Sequence, residues 1–359
     1  MSNATSNAPR GTSQGLVLLL ALAAATIALA GMKAIGGILG PALLALMLAV
    51  ACDPLRQILQ RRGVPRWVAT VTTLITLYVG LLALTGGLVL SVARFATLVP
   101  TYRQEFADLV DRAQPWLADL GVGAAQIDAI LSSFDLSWVT HLVTGLLSTL
   151  MSLSTSLFFV VTLILFLMVD AEPFTRHLDR VNGTRGGAVS ALRSFAYGTR
   201  RYLVVATVFG LIVAVIDTGL LMALGVPGAV LWGLLAFVTN YVPNIGFVIG
   251  LVPPAIIALL EGGPGLMIWV IVAYCATNVV IQSVIQPKLI GDAVGISASI
   301  TFLSLVVWAW VLGPLGAILA VPMTLLVKAI FVDMDPSTRW FSGFIGAPLD
   351  DSETATSEA

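Results

Sequence analysis

The sequence is short of charge. Only 10% of its 359 residues are Asp, Glu, Lys or Arg, whereas 58% are hydrophobic and the mean hydropathy is +0.98. A soluble domain carries about 25% charged residues, so this chain cannot hide its apolar surface in a water-soluble core. The sequence therefore predicts an all-α, polytopic integral membrane protein. A net charge of −1 gives no indication of nucleic-acid binding.

The residues that most enzymes use are also scarce. The two histidines, His141 and His177, lie far apart, and no HExxH motif or other cluster of metal ligands is present. None of Lys33, Lys288 and Lys328 precedes Ser or Thr, which excludes a Walker A loop. A GxSxG nucleophile elbow is also missing. We therefore predict no enzymatic activity, no cofactor and no metal, and a function driven by a gradient rather than by ATP.

What is present is a series of apolar runs of membrane-spanning length. A spanning helix needs about 20 mostly apolar residues, and we predict about eight spans plus at least one broken or re-entrant helical hairpin, at 229–260. The last two runs form either two thin spans or a second hairpin that enters and returns. The predicted spans are 15–31, 34–52, 67–92, 142–169, 203–224, 266–286, 297–312 and 315–331.

Arginines set the expected orientation. They crowd the segments 56–66 and 176–201, and short basic loops stay on the cytoplasmic side. Both termini are then cytoplasmic. The first run also resembles a cleavable signal peptide, but it abuts a second helix-length run, which favours an uncleaved span.

The predicted layout has five parts. Residues 1–14 are a disordered cytoplasmic tail and 15–92 hold the first three spans. Residues 93–141 are an extracytoplasmic amphipathic segment, either a helix on the membrane surface or an arm that contacts another subunit. Residues 142–331 are the transport region, with a cytoplasmic link at 170–202. A cytoplasmic tail follows at 332–359.

The apolar run at 229–260 is interrupted by polar and helix-breaking residues. Asn240, Pro243, Asn244 and Gly246 fall within seven positions, and Pro253-Pro254 follows. Proline removes a backbone donor, and freed backbone groups at membrane depth need protein or a water-filled cavity as partner. Transporters build substrate and ion sites from such broken helices. We predict a binding cage here; alternatively, the asparagines only satisfy the broken backbone.

Two further features place polar groups inside predicted spans. Asp217 lies in the run 203–224, where a carboxylate costs at least about 2.5 kcal/mol on insertion scales. It is either a proton or sodium coupling site or a neutral acid bonded to Thr218 or a neighbouring helix. Asn278, Gln282 and Gln286 recur every four residues and share one helix face. That face lines a path or forms interhelical hydrogen bonds.

Glycines and prolines mark the expected hinges and motifs of the transport region. Gly262 and Gly263 stand before Pro264, at the end of the broken hairpin. Gln286 and Pro287 end the carboxamide stripe. We predict that the hairpin moves about Gly225, Gly228, Gly262 and Gly263 against a more fixed part of the protein, which gives alternating access.

The second half of the chain resembles the AI-2E (autoinducer-2 exporter) family. The resemblance rests on Asn-Tyr-Val-Pro-Asn-Ile-Gly at 240–246, Gln-Pro-Lys-Leu-Ile-Gly at 286–291, and Gly-Pro-Leu-Gly at 313–316 running to Ala-Val-Pro at 320–322. It implies a bacterial inner-membrane transporter that exports a small molecule or exchanges cations for protons, and that assembles as an oligomer. The family usually has an acidic residue where Asn240 stands and a second proline where Phe247 stands, and Asp217 is not among its known positions.

The leading prediction is a secondary transporter of a small polar solute or cation, working by export or by proton or sodium antiport. Its expected partners are the solute, H⁺ or Na⁺, membrane lipids and further copies of the chain. A passive channel and a non-transporting membrane scaffold are the alternatives.

Overall fold

The computed structural model describes residues 14–98, 137–243, 245–285 and 296–334, and these are helical apart from short connections. Predictions for the two terminal tails, most of the segment 93–141, Asn244, Gln286 and Pro287 therefore lie outside the described residues. The helices are α1 (Gln14–Ala34), α2 (Gly36–Arg61), α3 (Arg66–Leu98), α4 (Ser137–Ala223), α5 (Ala229–Thr239), α6 (Gly246–Asn278), α7 (Ala298–Leu312) and α8 (Pro314–Lys328). Two π-helical turns, Val279–Ile285 and Ala329–Asp333, continue α6 and α8.

Membrane-spanning helices dominate this architecture, which confirms the polytopic all-α prediction. Within the described ranges, five helices are long and apolar enough to cross a membrane, or six if a bent pair in α4 counts as one span. Three apolar helices are shorter, namely Leu19–Ala34, Ala229–Thr239 and Ala298–Leu312. The count of eight spans stays a prediction.

Helix α4 contains two membrane-length arms rather than one straight rod. It bends by 41° between Leu157–Ala171 and Pro173–Arg180, where Pro173 removes a helical hydrogen bond. Asp179 forms an ion pair with Arg193 fourteen positions later, although a straight helix would hold them about 21 Å apart. The chain therefore turns back within the predicted link 170–202. We call Gly186–Ala223 the second arm of α4.

An ionic cluster ties the end of α2 to both arms of α4. Asp53 accepts hydrogen bonds from Arg56, 2.8 Å away, and from Arg200, 3.3 Å away. Arg56 also donates to the carbonyl of Met168, and Arg200 donates to that of Val50. The two arginine-rich segments thus meet at one end of the molecule, as a shared cytoplasmic side would require.

Helices α7 and α8 form a tight antiparallel hairpin. They are joined at Gly313, which has a φ of 66°, and α7 is 15 residues or about 22 Å long. Gly316 packs where any Cβ would strike the carbonyl of Trp308. The π-helical turn extends α8 to an apolar helix of 20 residues, Pro314–Asp333, which is long enough to cross a membrane.

A second hairpin contains α5 and the first part of α6. Helix α5 has 11 residues, about 16 Å, which is well short of the hydrocarbon thickness. Gly263 interrupts α6 with a φ of 72° and a ψ of −169°, so the predicted break at Gly262 and Gly263 is present. The prediction that Pro253 and Pro254 interrupt the helix is wrong, because α6 continues through both. Neighbouring helices make such prolines tolerable in membrane helices.

Small residues allow α5 and α6 to pack closely. A Cβ at Gly246 would collide with the carbonyl oxygen of Thr239, and one at Gly250 would lie 3.1 Å from the Thr239 hydroxyl and 3.6 Å from the Cα of Ala236. The Gly246 and Gly250 pair therefore acts as the close-packing motif that its spacing suggests.

We expect Gly246→Ala to lower the free energy of unfolding by about 1–3 kcal/mol, because the new methyl group must displace backbone rather than a flexible side chain. The measurement is the thermal unfolding midpoint of the detergent-purified protein. Gly219→Ala is the matched control, since Gly219 lies in α4 and a methyl group added there would meet no atom within 4 Å. Equal midpoints for the two variants would contradict the packing argument.

Candidate functional site

One small cavity brings together four residues that the sequence singled out from three separate segments. Asp217, Asn240, Asn278 and Gln282 all line it. Two further polar residues, Thr239 and Tyr274, were not predicted. The remaining lining residues are Val213, Ala236, Phe247 and Gly250.

Helical spacing explains how α4 and α6 supply this lining. On α6 and its π-helical extension, Tyr274, Asn278 and Gln282 follow one another at intervals of four, so they share a face. On the second arm of α4, Val213 and Asp217 do the same. Asn278 and Gln282 of the predicted carboxamide stripe therefore lie on one wall of the cavity. Tyr274 extends it by one turn, and the same spacing could have revealed it.

Asn240 bridges two helices at one end of the cavity. Its Nδ2 donates to the carbonyl of Ala206 on α4 at 2.9 Å, and its Oδ1 accepts from Nε2 of Gln282 at 2.9 Å. Gly210 makes this approach possible, because a Cβ there would lie 2.9 Å from the Asn240 side chain. Both functional groups of the Asn240 carboxamide therefore have protein partners. We call this end, with Gln282, the bridge end.

The break that follows α5 is satisfied largely by the protein itself. The Tyr241 carbonyl accepts from the Tyr202 hydroxyl at 2.7 Å, and the Tyr241 hydroxyl lies 2.6 Å from that of Thr207. The carbonyls of Val242 and Pro243 accept from the amides of Gly246 and Ile245. The interrupted backbone therefore finds partners in Tyr202 and in the turn itself, whereas the Asn240 side chain bonds to Ala206 and Gln282.

Pro243 and Gly246 shape the turn but do not line the cavity. Pro243 places its carbonyl 2.7 Å from the Ile245 amide, and Gly246 permits contact with α5. Sequence reasoning missed Tyr202 and Thr207, because hydroxyl groups on an apolar helix carry no distinctive pattern.

The other end of the cavity holds a buried acid. Asp217 is 2% exposed, and its neighbours on α6 are Tyr274, also 2% exposed, and Thr277, whose hydroxyl lies beside the carboxyl group. The sequence allowed either Thr218 or a neighbouring helix as the partner of Asp217. The structure places Thr277 of α6 beside it. We call this group the carboxyl end. On α6, Tyr274 and Gln282 place the two ends about 12 Å apart.

Two polar atoms at the carboxyl end have no hydrogen-bond partner among the residues that the structure describes. They are Oδ1 of Asp217 and the hydroxyl oxygen of Tyr274. A buried polar atom without a partner costs about 1–3 kcal/mol, and more when charged, so these two atoms require a partner that the described residues do not supply.

The chain as a whole matches the profile described as AI-2E family transporter over residues 16–334. The chain belongs to the AI-2E family. It is 31% identical over 320 residues to the AI-2 transport protein TqsA of Escherichia coli strain K12, an alignment that covers 88% of this chain and 92% of TqsA. The chain is also 32% identical over 320 residues to YhhT, a presumed transport protein of the same strain. That alignment covers 89% of this chain and 91% of YhhT.

Membership of the AI-2E family identifies the protein as a multi-pass membrane transport protein rather than an enzyme. The resemblance on which the sequence analysis relied is thereby confirmed. It also connects the cavity to the family resemblance, because Asn240 at the bridge end belongs to the 240–246 motif.

We expect the hydrogen bond between Asn240 and Gln282 to couple the two residues by about 1 kcal/mol. The measurement is a double-mutant cycle of thermal stability with Asn240→Ala, Gln282→Ala and the double variant. Gln57→Ala combined with Asn240→Ala is the control, because Gln57 bonds to Asp53 at the end of α2 and its effect should add. Strict additivity for the Asn240 and Gln282 pair would contradict the bridge.

Proposed function

We propose that this protein is a gradient-driven transporter of a small polar solute or cation in the bacterial inner membrane, with both termini cytoplasmic. The observation that carries the proposal is the cavity in which Asp217, Asn240, Asn278 and Gln282 meet. A non-transporting scaffold does not need a buried carboxyl group or two polar atoms without hydrogen-bond partners within apolar helices.

The free space in the cavity fits a coupling ion better than a larger solute. It admits roughly one water-sized species. A monovalent ion can therefore bind in this conformation, whereas a polar metabolite requires the cavity to open. We interpret the structure as a closed state in an alternating-access cycle.

Glycine conformations mark where such opening would occur. Gly225 and Gly228 connect α4 to α5 with φ values of 73° and 74°, and Gly263 interrupts α6 at 72°. These positions bracket the hairpin formed by α5 and the first part of α6. We propose that this hairpin moves as a unit, which would break the Asn240 and Gln282 bridge and open the cavity to one side of the membrane.

Exposed apolar side chains supply the surface for the remaining proposed partners. Trp67, Phe158 and Trp269 are between 65% and 79% exposed, which suits contact with lipid tails. Neighbouring copies of the chain would cover part of the same surface in the homo-oligomer that we propose.

A reconstituted flux assay tests the function. Proteoliposomes receive a proton or a sodium gradient separately, and uptake of a small panel of polar solutes is followed. We expect flux that follows one imposed gradient in the wild type. Asp217→Asn should reduce the gradient-dependent part by at least about tenfold, because a loss of about 1.4 kcal/mol in ion binding already gives that factor.

Asp179→Asn is the control, since Asp179 is an exposed carboxylate paired with Arg193 outside the cavity. Flux that ignores both gradients would favour a passive channel. Flux from folded wild-type protein no greater than from empty liposomes would favour the scaffold. Unchanged coupling in Asp217→Asn would remove Asp217 from the mechanism.

A further inference from the structure

We propose that the carboxyl end of the cavity is a binding site for a single dehydrated sodium ion, held between the Asp217 carboxylate and the Tyr274 hydroxyl. The inference names the coupling ion, so its use in transport rests on the proposed function. The binding itself rests on the geometry of α4 and α6 alone.

The first argument is charge. Among the residues that the structure describes, no Lys, Arg or His lines the cavity. Asp217 is 2% exposed, and an isolated carboxylate in such surroundings is strongly unfavourable. The charge must therefore be compensated either by a bound proton or by a mobile cation.

The second argument is the set of oxygen atoms that could coordinate the ion. Oδ1 of Asp217 and the Tyr274 hydroxyl oxygen are both buried and unpartnered within the described part of the chain. The Thr277 hydroxyl lies beside the same carboxyl group, and Asn278 lines the same wall one turn from Tyr274. These are hard oxygen atoms, which suit hard cations rather than soft transition metals.

The third argument is the number of carboxylates. The described residues include no group of three or more His, Cys, Asp or Glu that could hold a metal ion. With one carboxylate, a divalent ion would leave a net positive charge in an apolar interior, which is unfavourable. A monovalent ion leaves the site neutral, and the small free space favours Na⁺ over the larger K⁺.

A proton is the competing species. Protonation of Asp217 neutralises the carboxyl group and adds one O–H donor, which serves a single acceptor. A cation that bridges both oxygens satisfies both groups at once. At the bridge end, by contrast, the Asn240 carboxamide is already bonded to Ala206 and Gln282. Its oxygen therefore already has a hydrogen-bond partner, unlike Oδ1 of Asp217.

The test is binding to the full-length chain in detergent, which needs no transport. The thermal unfolding midpoint is measured as NaCl or KCl replaces choline chloride at constant ionic strength. We expect saturating Na⁺ to raise the wild-type midpoint by at least about 2 °C, because a ligand that binds only the folded state stabilises it. K⁺ should have no comparable effect.

Two cavity variants and two controls make the test specific. Asp217→Asn should abolish the response to Na⁺, and Tyr274→Phe should raise the half-saturating Na⁺ concentration by about tenfold through loss of one ligand. Asp179→Asn and Tyr197→Phe should respond like the wild type, since Asp179 and Tyr197 are exposed residues outside the cavity. If Asp217→Asn does not fold, Tyr274→Phe decides alone.

Equal stabilisation by Na⁺, K⁺ and choline in the wild type would overturn the inference, and so would an unchanged half-saturation in Tyr274→Phe. Either result is compatible with proton-driven flux, so the proposed function would stand. Conversely, Na⁺ binding in a protein that shows no flux would support the site and contradict the function.

Discussion

The structure depends on one requirement: an interrupted helix at membrane depth must find hydrogen-bond partners within the protein. The break after Thr239 finds such partners on α4. Tyr202 binds the carbonyl of Tyr241, Thr207 meets the Tyr241 hydroxyl, and the Ala206 carbonyl accepts from Asn240. Because these contacts lie within about one and a half turns of α4, they fix the depth and rotation of α5 relative to α4. The cavity exists where this fixed break faces α6.

The same requirement explains why position 240 carries an amide rather than an acid. Asn240 uses Nδ2 as a donor toward the Ala206 carbonyl and Oδ1 as an acceptor from Gln282. A carboxylate there would set an oxygen against the carbonyl oxygen of Ala206, and two acceptors cannot bond to each other. The negative charge of the cavity lies instead on Asp217, eleven residues or about 16 Å further along α4 than Ala206. The departure from the usual family pattern at position 240 is thus accompanied by a carboxylate elsewhere in the same cavity.

Sequence patterns predicted the parts of the site that depend on periodicity and on unusual residue types. Asp217 was conspicuous as a charge within an apolar run, and Asn278 and Gln282 shared a helix face. Long-range contacts were not predictable in this way. That Asn240 bonds to Ala206 and Gln282 depends on how three helices pack, and Tyr274 looked like an ordinary apolar-helix residue. Pro253 and Pro254 misled the prediction, because tertiary packing overrides the local tendency of proline to end a helix.

The division of the cavity into two ends separates two demands that one group cannot meet together. A residue that seals a broken helix must keep its partners in the closed state, whereas a residue that binds an ion needs an unpartnered oxygen. Asn240 and Gln282 meet the first demand, and Asp217 and Tyr274 meet the second. Both pairs span different elements: the first joins the α5 break to α6, and the second joins α4 to α6. An ion at the carboxyl end would therefore pull α4 and α6 together along the wall on which the bridge also depends. Because α6 contributes to both pairs through one face, ion binding and the seal would be coupled through a single rigid helix, without any contact between the ion and Asn240.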